Sequence, residues 1–399
     1  MNEGTTVLIT GATGFIGGRL VEMLAGRVRV RALVSAYTRT SRIARYPVEM
    51  VRGDIRDEAA VAQAARDVDV IFHCAYGSRG TPEEKRAITV GGTKNVIAAA
   101  RASGARLVHL STQMVYGTPE KGVITEELPR QEGGGTYAES KVEAEKLVEA
   151  AAAAGLPATI LQPTAVYGPW APVWTMGVLA RMREGKVPLV NGGEGACNAV
   201  YIDDVIQAML LAARREEALG ERFLVSAREP VSWRDFYGSY EEMLGFPATV
   251  PVRVEEAVEP QRRGRRWALP QLLELAREEP SVRSRLGNTF EGQLARRLAG
   301  PLFRRRTTPS RTPELDKLRR LRAKPELPVY RLSPTDASFY ASTARVEIGK
   351  AQRLLGYEPG YDLRAGMELT GEWARWARLV PAKAEEQQVQ QKRKGVEAQ

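Results

Sequence analysis

The feature that most constrains the fold of this chain is the alternation, in its first half, of short β-branched runs with alanine-rich stretches. The runs have the length and composition of buried strands, and the stretches between them have those of helices. Such βαβ repeats predict an α/β fold with a Rossmann-type, doubly wound parallel sheet. Strands are predicted at 6–10, 28–34, 48–51, 68–75, 106–111, 158–163 and 221–227, and helices near 15–25, 57–66, 83–103, 136–154 and 200–215.

The alternation loosens in the second half, which predicts two parts. Residues 1–170 are expected to form the Rossmann-type domain, to which 200–227 returns. A smaller, mixed substrate-binding part is expected to comprise 171–199 and 228–380, with 251–330 as an insertion of short helices and loops.

The net charge of +10 comes from one segment. Between Gln261 and Tyr330 there are eighteen Arg or Lys and seven Asp or Glu, and the rest of the chain is near neutral. These arginines alternate with Leu, Trp and Phe, so the segment could hold an anionic substrate group, contact a membrane surface, or be a solvated insertion. Nucleic-acid binding is not expected, because no recognition module accompanies the charge. The polar tail 381–399 is predicted to be solvated and mobile.

Cysteine and histidine usage argues against disulfides and metal sites. The two cysteines are Cys74 and Cys197, and the two histidines are His73 and His109. They are too few for a disulfide framework or a zinc cluster. No run approaches the roughly 20 apolar residues of a membrane span, and no leader precedes the first strand-like run. We therefore expect a reduced, cytoplasmic protein without metal, and a homodimer is one candidate assembly.

A glycine loop joins the first predicted strand to the first predicted helix. Glycines at this point let the backbone turn tightly and approach a pyrophosphate, while the amides at the helix N-terminus face its negative charge. The loop therefore predicts an NAD(P) site. The residues expected to contact the dinucleotide here are Gly11, Thr13, Gly14, Phe15, Ile16 and Gly17.

The loop after the second predicted strand bears on the choice between NAD and NADP. NAD-preferring sites usually carry an acid there for the ribose hydroxyls, but this chain continues as Ser35-Ala-Tyr-Thr-Arg39. Ser35, Arg39 and Arg42 could instead receive a 2′-phosphate, so the sequence leans towards NADP(H). Solvated arginines on a loop are the alternative.

Tyr137 and Lys141 begin the helix predicted at 136–154, and their spacing of four places both side chains on one helix face. A phenol with a pKa of about 10 is a poor acid-base group at neutral pH. An adjacent ammonium stabilises the phenolate and lowers that pKa towards the working range. The pair therefore predicts a proton-transfer site.

Several motifs occur in a fixed order along the chain. They are TGxxGxxG at 10–17, Gly53-Asp54-Ile55, His73-Cys-Ala75, Ser111-Thr112 with Val115-Tyr116-Gly117, Tyr137-xxx-Lys141, and Gln162-Pro163 with Val166-Tyr167-Gly168-Pro169. Together they resemble the extended short-chain dehydrogenase/reductase family, the NAD(P)-dependent epimerases and dehydratases. The resemblance covers about residues 5–230 closely and 351–359 more loosely.

The resemblance implies three catalytic roles. Thr112 would hydrogen-bond the reacting oxygen, Tyr137 would act as acid and base, and Lys141 would hold the ribose and tune the tyrosine. From the residues alone, Thr112 could instead cap a turn.

The resemblance also implies further cofactor contacts. Asp54 and Ile55 would contact the adenine, and Ala75 would pass over the cofactor. Pro163 and Val166 would lie near the nicotinamide carboxamide. A helix-capping acid is the alternative for Asp54.

Two departures from the family pattern narrow the substrate. Dehydratases carry Asp-Glu where this chain has Gln113-Met114, and neither of these side chains can exchange a proton. Sugar-nucleotide epimerases usually place an arginine for the diphosphate just before the helix predicted at 200–215, where this chain has Gly195-Ala196-Cys197-Asn198-Ala199-Val200. A sugar 4,6-dehydratase is therefore not expected, and a nucleotide-sugar substrate is disfavoured.

The sequence predicts an NAD(P)-dependent epimerase or reductase that transfers hydride at a secondary alcohol or carbonyl carbon of a sugar-like substrate, with a nucleotide-linked sugar as one form. The enzymatic alternative is a carbonyl reductase or 3-hydroxysteroid-like dehydrogenase with an apolar substrate. A non-catalytic dinucleotide-sensing protein is the alternative from another class, but it would not need Thr112, Tyr137 and Lys141 together.

Overall fold

The computed structural model describes residues 1–37, 40–131, 133–258 and 328–382. Fifteen strands occur in these ranges. They are β1 (Thr6–Thr10), β2 (Arg29–Val34), β3 (Val48–Arg52), β4 (Val70–His73), β5 (Arg106–Leu110), β6 (Val123–Ile124), β7 (Ala158–Pro163), β8 (Ala165–Tyr167), β9 (Val187–Val190), β10 (Ala196–Cys197), β11 (Ala199–Tyr201), β12 (Arg222–Val225), β13 (Val231–Ser232), β14 (Thr249–Val252) and β15 (Arg345–Val346).

Twelve α-helices occur in the same ranges. They are α1 (Phe15–Leu24), α2 (Glu58–Ala64), α3 (Pro82–Arg86), α4 (Gly92–Ser103), α5 (Gly135–Ala153), α6 (Gly177–Glu184), α7 (Ile202–Ala212), α8 (Trp233–Leu244), α9 (Val254–Ala257), α10 (Pro334–Ala341), α11 (Gly349–Leu355) and α12 (Leu363–Trp376). Short 3₁₀ helices span Gln113–Tyr116, Asn191–Gly193 and Glu216–Ala218, and π-helical turns span Ala87–Gly91 and Pro172–Met176.

Seven strands pair in parallel in the order β12-β7-β5-β4-β1-β2-β3. Each contains residues of one predicted strand. The strand order reverses at the pair β1 and β4, which is the arrangement of a doubly wound sheet. The predicted Rossmann-type fold is therefore confirmed.

Both faces of the sheet are covered, which explains why its strands are almost continuously apolar. Val7 and Ile9 of β1 point into a core that includes Leu20 of α1, whereas Leu8 points into a second core that includes Val96 of α4. Successive strand residues therefore serve opposite faces, and each face packs against its own helices.

One predicted helix begins later than the sequence pattern indicated. The helix predicted at 200–215 starts as strand β11, which pairs in parallel with β8, and only then continues as α7. Tyr201 is extended, with φ −72° and ψ 143°, and lies at the N-cap of α7. The reason is a tertiary contact: residues 199–201 pair with β8 as a strand, although their sequence also fits the helical periodicity.

The described ends of the predicted insertion 251–330 are tied to the second part of the chain. Strand β14 pairs with β9, and bridges join Lys186 to Val329 and Val258 to Leu332. Residues 259–327 lie outside the described residues, and so do 38–39, 132 and 383–399 of the predicted tail. Within the described ranges, no helix is long and apolar enough to cross a bilayer.

Asn198 fastens the C-terminal part of the chain beside the sheet. Its side-chain Nδ2 donates to the carbonyl of Ala344 at 2.9 Å, and its Oδ1 accepts from the amide of Val346 at 3.0 Å. Both ends of the side-chain amide are therefore used by backbone that lies almost 150 residues further along the chain.

Asn198→Ala is expected to lower the free energy of unfolding by about 2 kcal/mol, because two partly buried backbone groups lose their partners. Denaturant unfolding measures this loss. Asn2→Ala is the matched control, since Asn2 bonds within an exposed turn and its loss should cost less than about 0.5 kcal/mol. Equal losses in both variants would show that Asn198 does not act as a tie.

Candidate active site

The predicted site residues cluster at the carboxyl ends of parallel strands or on the helices that follow them. In an α/β sheet these ends meet at one edge, where ligands bind at the point of strand reversal. Four strands in the middle of the sheet contribute most of these residues. The glycine loop follows β1, Ala75 follows β4, Thr112 follows β5, and Pro163 ends β7.

The glycine loop has the geometry that a dinucleotide requires. Gly11 has a φ of +72°, a conformation that favours glycine. A Cβ on Gly17 would lie 2.4 Å from the Gly11 carbonyl oxygen, so the helix start packs directly on the turn. Helix α1 begins at Phe15 without a side-chain cap, and Thr13 and Gly14 are exposed. The uncapped N-terminus therefore suits a pyrophosphate.

The segment after β4 passes close to this loop. A Cβ on Gly11 would lie 2.7 Å from the backbone nitrogen of Ala75. The structure thus brings Ala75 against the glycine loop, at the place where the resemblance expected it to pass over the cofactor.

The residues expected near the adenosine end lie after β2 and β3. Ser35 is exposed beyond the end of β2, and Arg39 lies outside the described residues. Asp54 accepts hydrogen bonds from the backbone and guanidinium of Arg56, which lower its pKa. Asp57, not Asp54, caps α2, so the capping alternative for Asp54 is wrong. Ile55 is buried in the core, against α4.

Arg42 lies beside the start of α1. Its Nε donates to Glu22 at 2.8 Å and its Nη1 donates to the Phe15 carbonyl at 3.1 Å. Its Nη2 is buried and has no hydrogen-bond partner among the described residues. The guanidinium also lies 5.5 Å from the ring centroid of Trp170. Arg42 is therefore not a solvated loop residue, and one of its donors is free.

Thr112 and Tyr137 meet at the end of β5. The Thr112 hydroxyl accepts from the amide of Met114 at 3.3 Å, so the turn-capping alternative for Thr112 is correct. Thr112 also lies close enough to the Tyr137 phenol to lower its pKa. Tyr137 is 45% exposed, and the protein around the phenol acts on its pKa more strongly than Thr112 does.

The electrostatics of the tyrosine differ from the expectation. Burial raises the pKa of Tyr137 to about 12, and the nearby Thr112 acts in the opposite direction. The sequence had predicted a pKa lowered by Lys141. The Lys141 ammonium donates instead to the Leu110 carbonyl at 2.7 Å, and burial of the phenol is the larger effect.

Lys141 is 3% exposed. Burial lowers its pKa to about 8, while Cys74 and Glu145 act in the opposite direction. The neighbouring His73 is neutral, because burial and then Lys141 lower its pKa to about 3. The positive charge at this place therefore belongs to Lys141.

The hydrogen bonds of His73 agree with a neutral ring. Thr93 Oγ1 donates to the Thr89 carbonyl at 2.6 Å, so it accepts from His73 Nε2 at 3.0 Å. His73 Nδ1 is then left to accept from Thr10 Oγ1 at 2.7 Å. Each ring nitrogen thus has one role, and the second proton of an imidazolium has no place.

A buried polar network lies one turn along α5 from Lys141. Tyr116 donates to Gln162 at 2.9 Å, and Gln162 donates to Glu145 at 2.9 Å. Glu145 is fully buried and also accepts from Arg130 at 2.7 Å. The network ties α5 to β7 and to the 3₁₀ helix after Thr112. It was not predicted, although Tyr116 and Gln162 belong to motifs that the sequence analysis had identified.

Two aromatic residues of the site were also missed. Tyr76 directly follows Ala75, and its ring contacts that of Tyr137, with centroids 5.8 Å apart. Trp170 follows Pro169 with a φ of +70°, and its ring lies 5.3 Å from that of Trp373 on α12. Their positions directly after predicted motifs were the available signal.

The residues that depart from the family pattern have structural partners. Gln113 donates to the Gly117 carbonyl at 3.1 Å, and Asn198 is held by Ala344 and Val346. Cys197 is completely buried. Neither Cys197 nor Asn198 supplies a cation to the site. Val166 lies in β8, next to β11.

Comparison with known proteins identifies the family to which this sequence belongs. A family model described as the NAD dependent epimerase/dehydratase family matches residues 7–226. The 2-alkyl-3-oxoalkanoate reductase of Stenotrophomonas maltophilia is 32% identical over 269 residues, which are 63% of this chain and 78% of that protein. A 4-hydroxy-2-methyl-3-oxo-4-farnesyl-3,4-dihydroquinoline-1-oxide ketoreductase of Stigmatella aurantiaca is 28% identical, covering 61% and 74%.

Solved structures share the fold at low identity. The UDP-glucuronic acid 4-epimerase of Bacillus cereus in complex with NAD has a TM-score of 0.64 and 18% identity, covering 95% of this chain and 99% of that one. The UDP-glucose 4-epimerase of Thermotoga maritima with UDP-glucose has a TM-score of 0.63 and 20% identity, covering 94% and 99%. At these identities the likeness extends to the fold alone.

Gly17→Ala is expected to weaken dinucleotide binding by at least about tenfold (about 1.4 kcal/mol). The new Cβ would overlap the Gly11 carbonyl and push the loop out of shape. Isothermal titration with NADP⁺ and NAD⁺ measures the effect.

Gly238→Ala is the matched control for Gly17→Ala. Gly238 also lies within a helix, but a Cβ there meets no atom within 4 Å. This variant should bind dinucleotide normally and unfold no more easily than the parent, since alanine is the better helix former. Normal binding by Gly17→Ala would contradict the assignment of the loop.

Proposed function

The chain belongs to the NAD-dependent epimerase/dehydratase family and is an enzyme of the extended short-chain dehydrogenase/reductase type; from this premise we propose that it transfers hydride between NAD(P) and a carbonyl or secondary alcohol carbon, with Thr112, Tyr137 and Lys141 as its catalytic residues. The observation that carries the proposal is that α5 sets Tyr137 and Lys141 one turn apart and holds the Lys141 ammonium against the carbonyl of Leu110, two residues before Thr112.

The proposed dinucleotide site follows the strand ends from the glycine loop to β7. The uncapped start of α1 favours the pyrophosphate there. The residues proposed to hold the cofactor are Gly11, Thr13, Gly14, Phe15, Ile16, Gly17, Ser35, Arg39, Asp54, Ile55, Ala75, Pro163 and Val166, together with Tyr137 and Lys141.

In the reductive direction, Tyr137 would be the proton donor. Burial raises its pKa to about 12, so the phenol holds its proton at neutral pH and transfer to a carbonyl oxygen needs help from its neighbours. Thr112 would hold the same oxygen by a second hydrogen bond. The cofactor supplies the hydride when it is bound. Lys141 would then stabilise the phenolate left behind, because a nearby ammonium favours the charged form.

We propose an apolar ketone or hydroxy compound as the substrate, in preference to a nucleotide sugar. A diphosphate needs a cation, and at the family position Cys197 is buried and Asn198 is occupied by backbone. The relatives named as oxoalkanoate reductase and ketoreductase act on oxo compounds by name, which supports the same choice. Epimerisation of a sugar-like substrate would use the same catalytic residues. Cys197 and Asn198 provide no cation for the diphosphate of a nucleotide-linked sugar.

We also propose that NADP(H) binds at least as tightly as NAD(H). Ser35 is exposed at the end of β2, and Arg42 has a buried donor without a partner among the described residues. A 2′-phosphate would accept from such a donor.

Residues 171–199 and 228–380 are proposed to form the substrate side. A cytoplasmic location, a homodimer and membrane contact by the basic segment remain predictions.

Tyr137→Phe is expected to lower turnover by about 100-fold or more while dinucleotide affinity is unchanged, because the hydroxyl transfers a proton and adds little to cofactor binding. NAD(P)H consumption with straight-chain 3-oxo acids and cyclic ketones measures turnover. UDP-glucose is assayed in parallel by the formation of its epimer, since epimerisation consumes no NAD(P)H.

Tyr37→Phe is the control for the tyrosine variant, since Tyr37 is 55% exposed and should lose no activity. Retained turnover in Tyr137→Phe would refute the catalytic assignment. Turnover of UDP-glucose without that of any ketone would replace the apolar substrate with the sugar.

Arg42→Met is expected to weaken NADP(H) by about tenfold more than NAD(H), since it removes a charge-assisted contact to the 2′-phosphate. Titration of both dinucleotides into both proteins gives the ratio. Arg45→Met is the control from the same loop, because its side chain is 62% exposed. A parent protein that prefers NAD(H) tenfold would contradict the proposed preference.

A further inference from the structure

Tyr76 touches both members of the proposed catalytic pair. The Lys141 Nζ lies 5.5 Å from the centroid of the Tyr76 ring, over its face. The Tyr137 ring meets the same ring edge to face, with centroids 5.8 Å apart and planes at 69°. One aromatic ring therefore presents a face to the ammonium and packs against the phenol.

The backbone around Tyr76 is held on both sides. Ala75 packs against Gly11 of the glycine loop, as described above. On the other side, the amide of Gly77 donates to Thr89 Oγ1 at 2.9 Å, in the π-helical turn before α4. A Cβ on Gly77 would lie 2.4 Å from the carbonyl oxygen of Lys85, so α3 packs directly on the segment. The backbone that carries the ring is thus held on both sides, and Tyr76 is 44% exposed.

The buried Lys141 ammonium has few hydrogen-bond acceptors to replace its hydration. Its hydrogen bond goes to the Leu110 carbonyl, and its other two protons have no hydrogen-bond acceptor among the described residues. An aromatic face attracts a cation through its quadrupole, and more strongly when the cation is desolvated. The other titratable groups that act on Lys141, or on which it acts, are Cys74, Glu145, His73 and His109.

We propose that Tyr76 is a positioning residue of the catalytic pair: the face of its ring keeps the Lys141 side chain charged and in place, and the ring contact with Tyr137 fixes the direction of the phenol. This inference rests on the proposed function for the role of Tyr137, but the effect on Lys141 requires only that the dinucleotide binds beside it.

The sign of the effect follows from the charge. Burial already lowers the pKa of Lys141 to about 8, so its ammonium is lost as the pH rises through that value. A side chain of similar size without an aromatic face would remove a favourable contact to the charged form. The pKa of Lys141 would then fall further, and the loss of the ammonium would begin at lower pH.

A matched pair of variants isolates the ring face. Tyr76→Phe keeps the aromatic face and removes only the hydroxyl, whereas Tyr76→Leu keeps an apolar side chain and removes the face. Dissociation constants for NADP⁺ are measured by isothermal titration between about pH 6 and 10, across the ionisation of Lys141. Lys141→Met tests whether this lysine causes the alkaline loss of affinity, because the variant should show no such pH dependence.

The midpoint of the alkaline loss of affinity is expected to move down by about 0.5 to 1 pH unit in Tyr76→Leu and to stay in place in Tyr76→Phe. Tyr76→Met serves as a second variant without an aromatic face if the leucine variant unfolds. Thermal unfolding of each protein shows that it is folded at the titration temperature. An unmoved midpoint in Tyr76→Leu, or an equal shift in Tyr76→Phe, would overturn the proposal.

Turnover gives an independent readout. Tyr76→Leu should lower kcat about tenfold with little change in KM, because the misdirected phenol affects proton transfer more than substrate binding. If Tyr137→Phe keeps full turnover, the proposed function fails, yet the titration midpoints still decide the role of Tyr76 beside Lys141. If Tyr137→Phe is inactive and the midpoints do not move, only the role of Tyr76 is lost.

Discussion

Parallel pairing at the centre of the sheet is the constraint on which the candidate site depends. Thr10 of β1 pairs with His73 of β4, and His73 pairs with His109 of β5. Because the three strands run in the same direction and in this register, the residues that follow them emerge side by side. A slip of one residue would turn every side chain of a strand to the opposite face. The meeting of the glycine loop, Ala75 and Thr112 is therefore a consequence of strand register.

The electrostatic centre of the site is a lysine that the fold has almost removed from water. Burying an ammonium costs several kcal/mol unless other groups replace its hydration. Here Leu110 supplies a carbonyl, Tyr76 an aromatic face and Glu145 a nearby negative charge, while His73 stays neutral and adds no repulsion. A charge held in such surroundings acts strongly on its neighbours, because little water screens it. Tyr137 lies one helical turn before Lys141 on α5.

Sequence reasoning reached the features that are local and periodic. The seven sheet strands were predictable because apolar runs of strand length repeat between helical stretches, and the glycine loop because its spacing has a mechanical cause. Long-range contacts were not predictable. The Tyr76 ring meets Lys141 only after β4 and α5 have packed, Glu145 of α5 bonds Gln162 of β7, and Arg42 bonds Glu22 on α1. The start of α7 was misplaced for the same reason, since the pairing of β11 with β8 is tertiary. Arg39, a predicted cofactor contact, lies outside the described residues.

The bridges at Lys186–Val329 and Val258–Leu332 affect how this chain can change in length during evolution. They fasten the points where the chain leaves the described part after Val258 and returns at Pro328. The entropy of closing a loop grows only with the logarithm of its length. Mutation could therefore lengthen, shorten or replace the stretch between these points at small thermodynamic cost to the sheet and the catalytic residues.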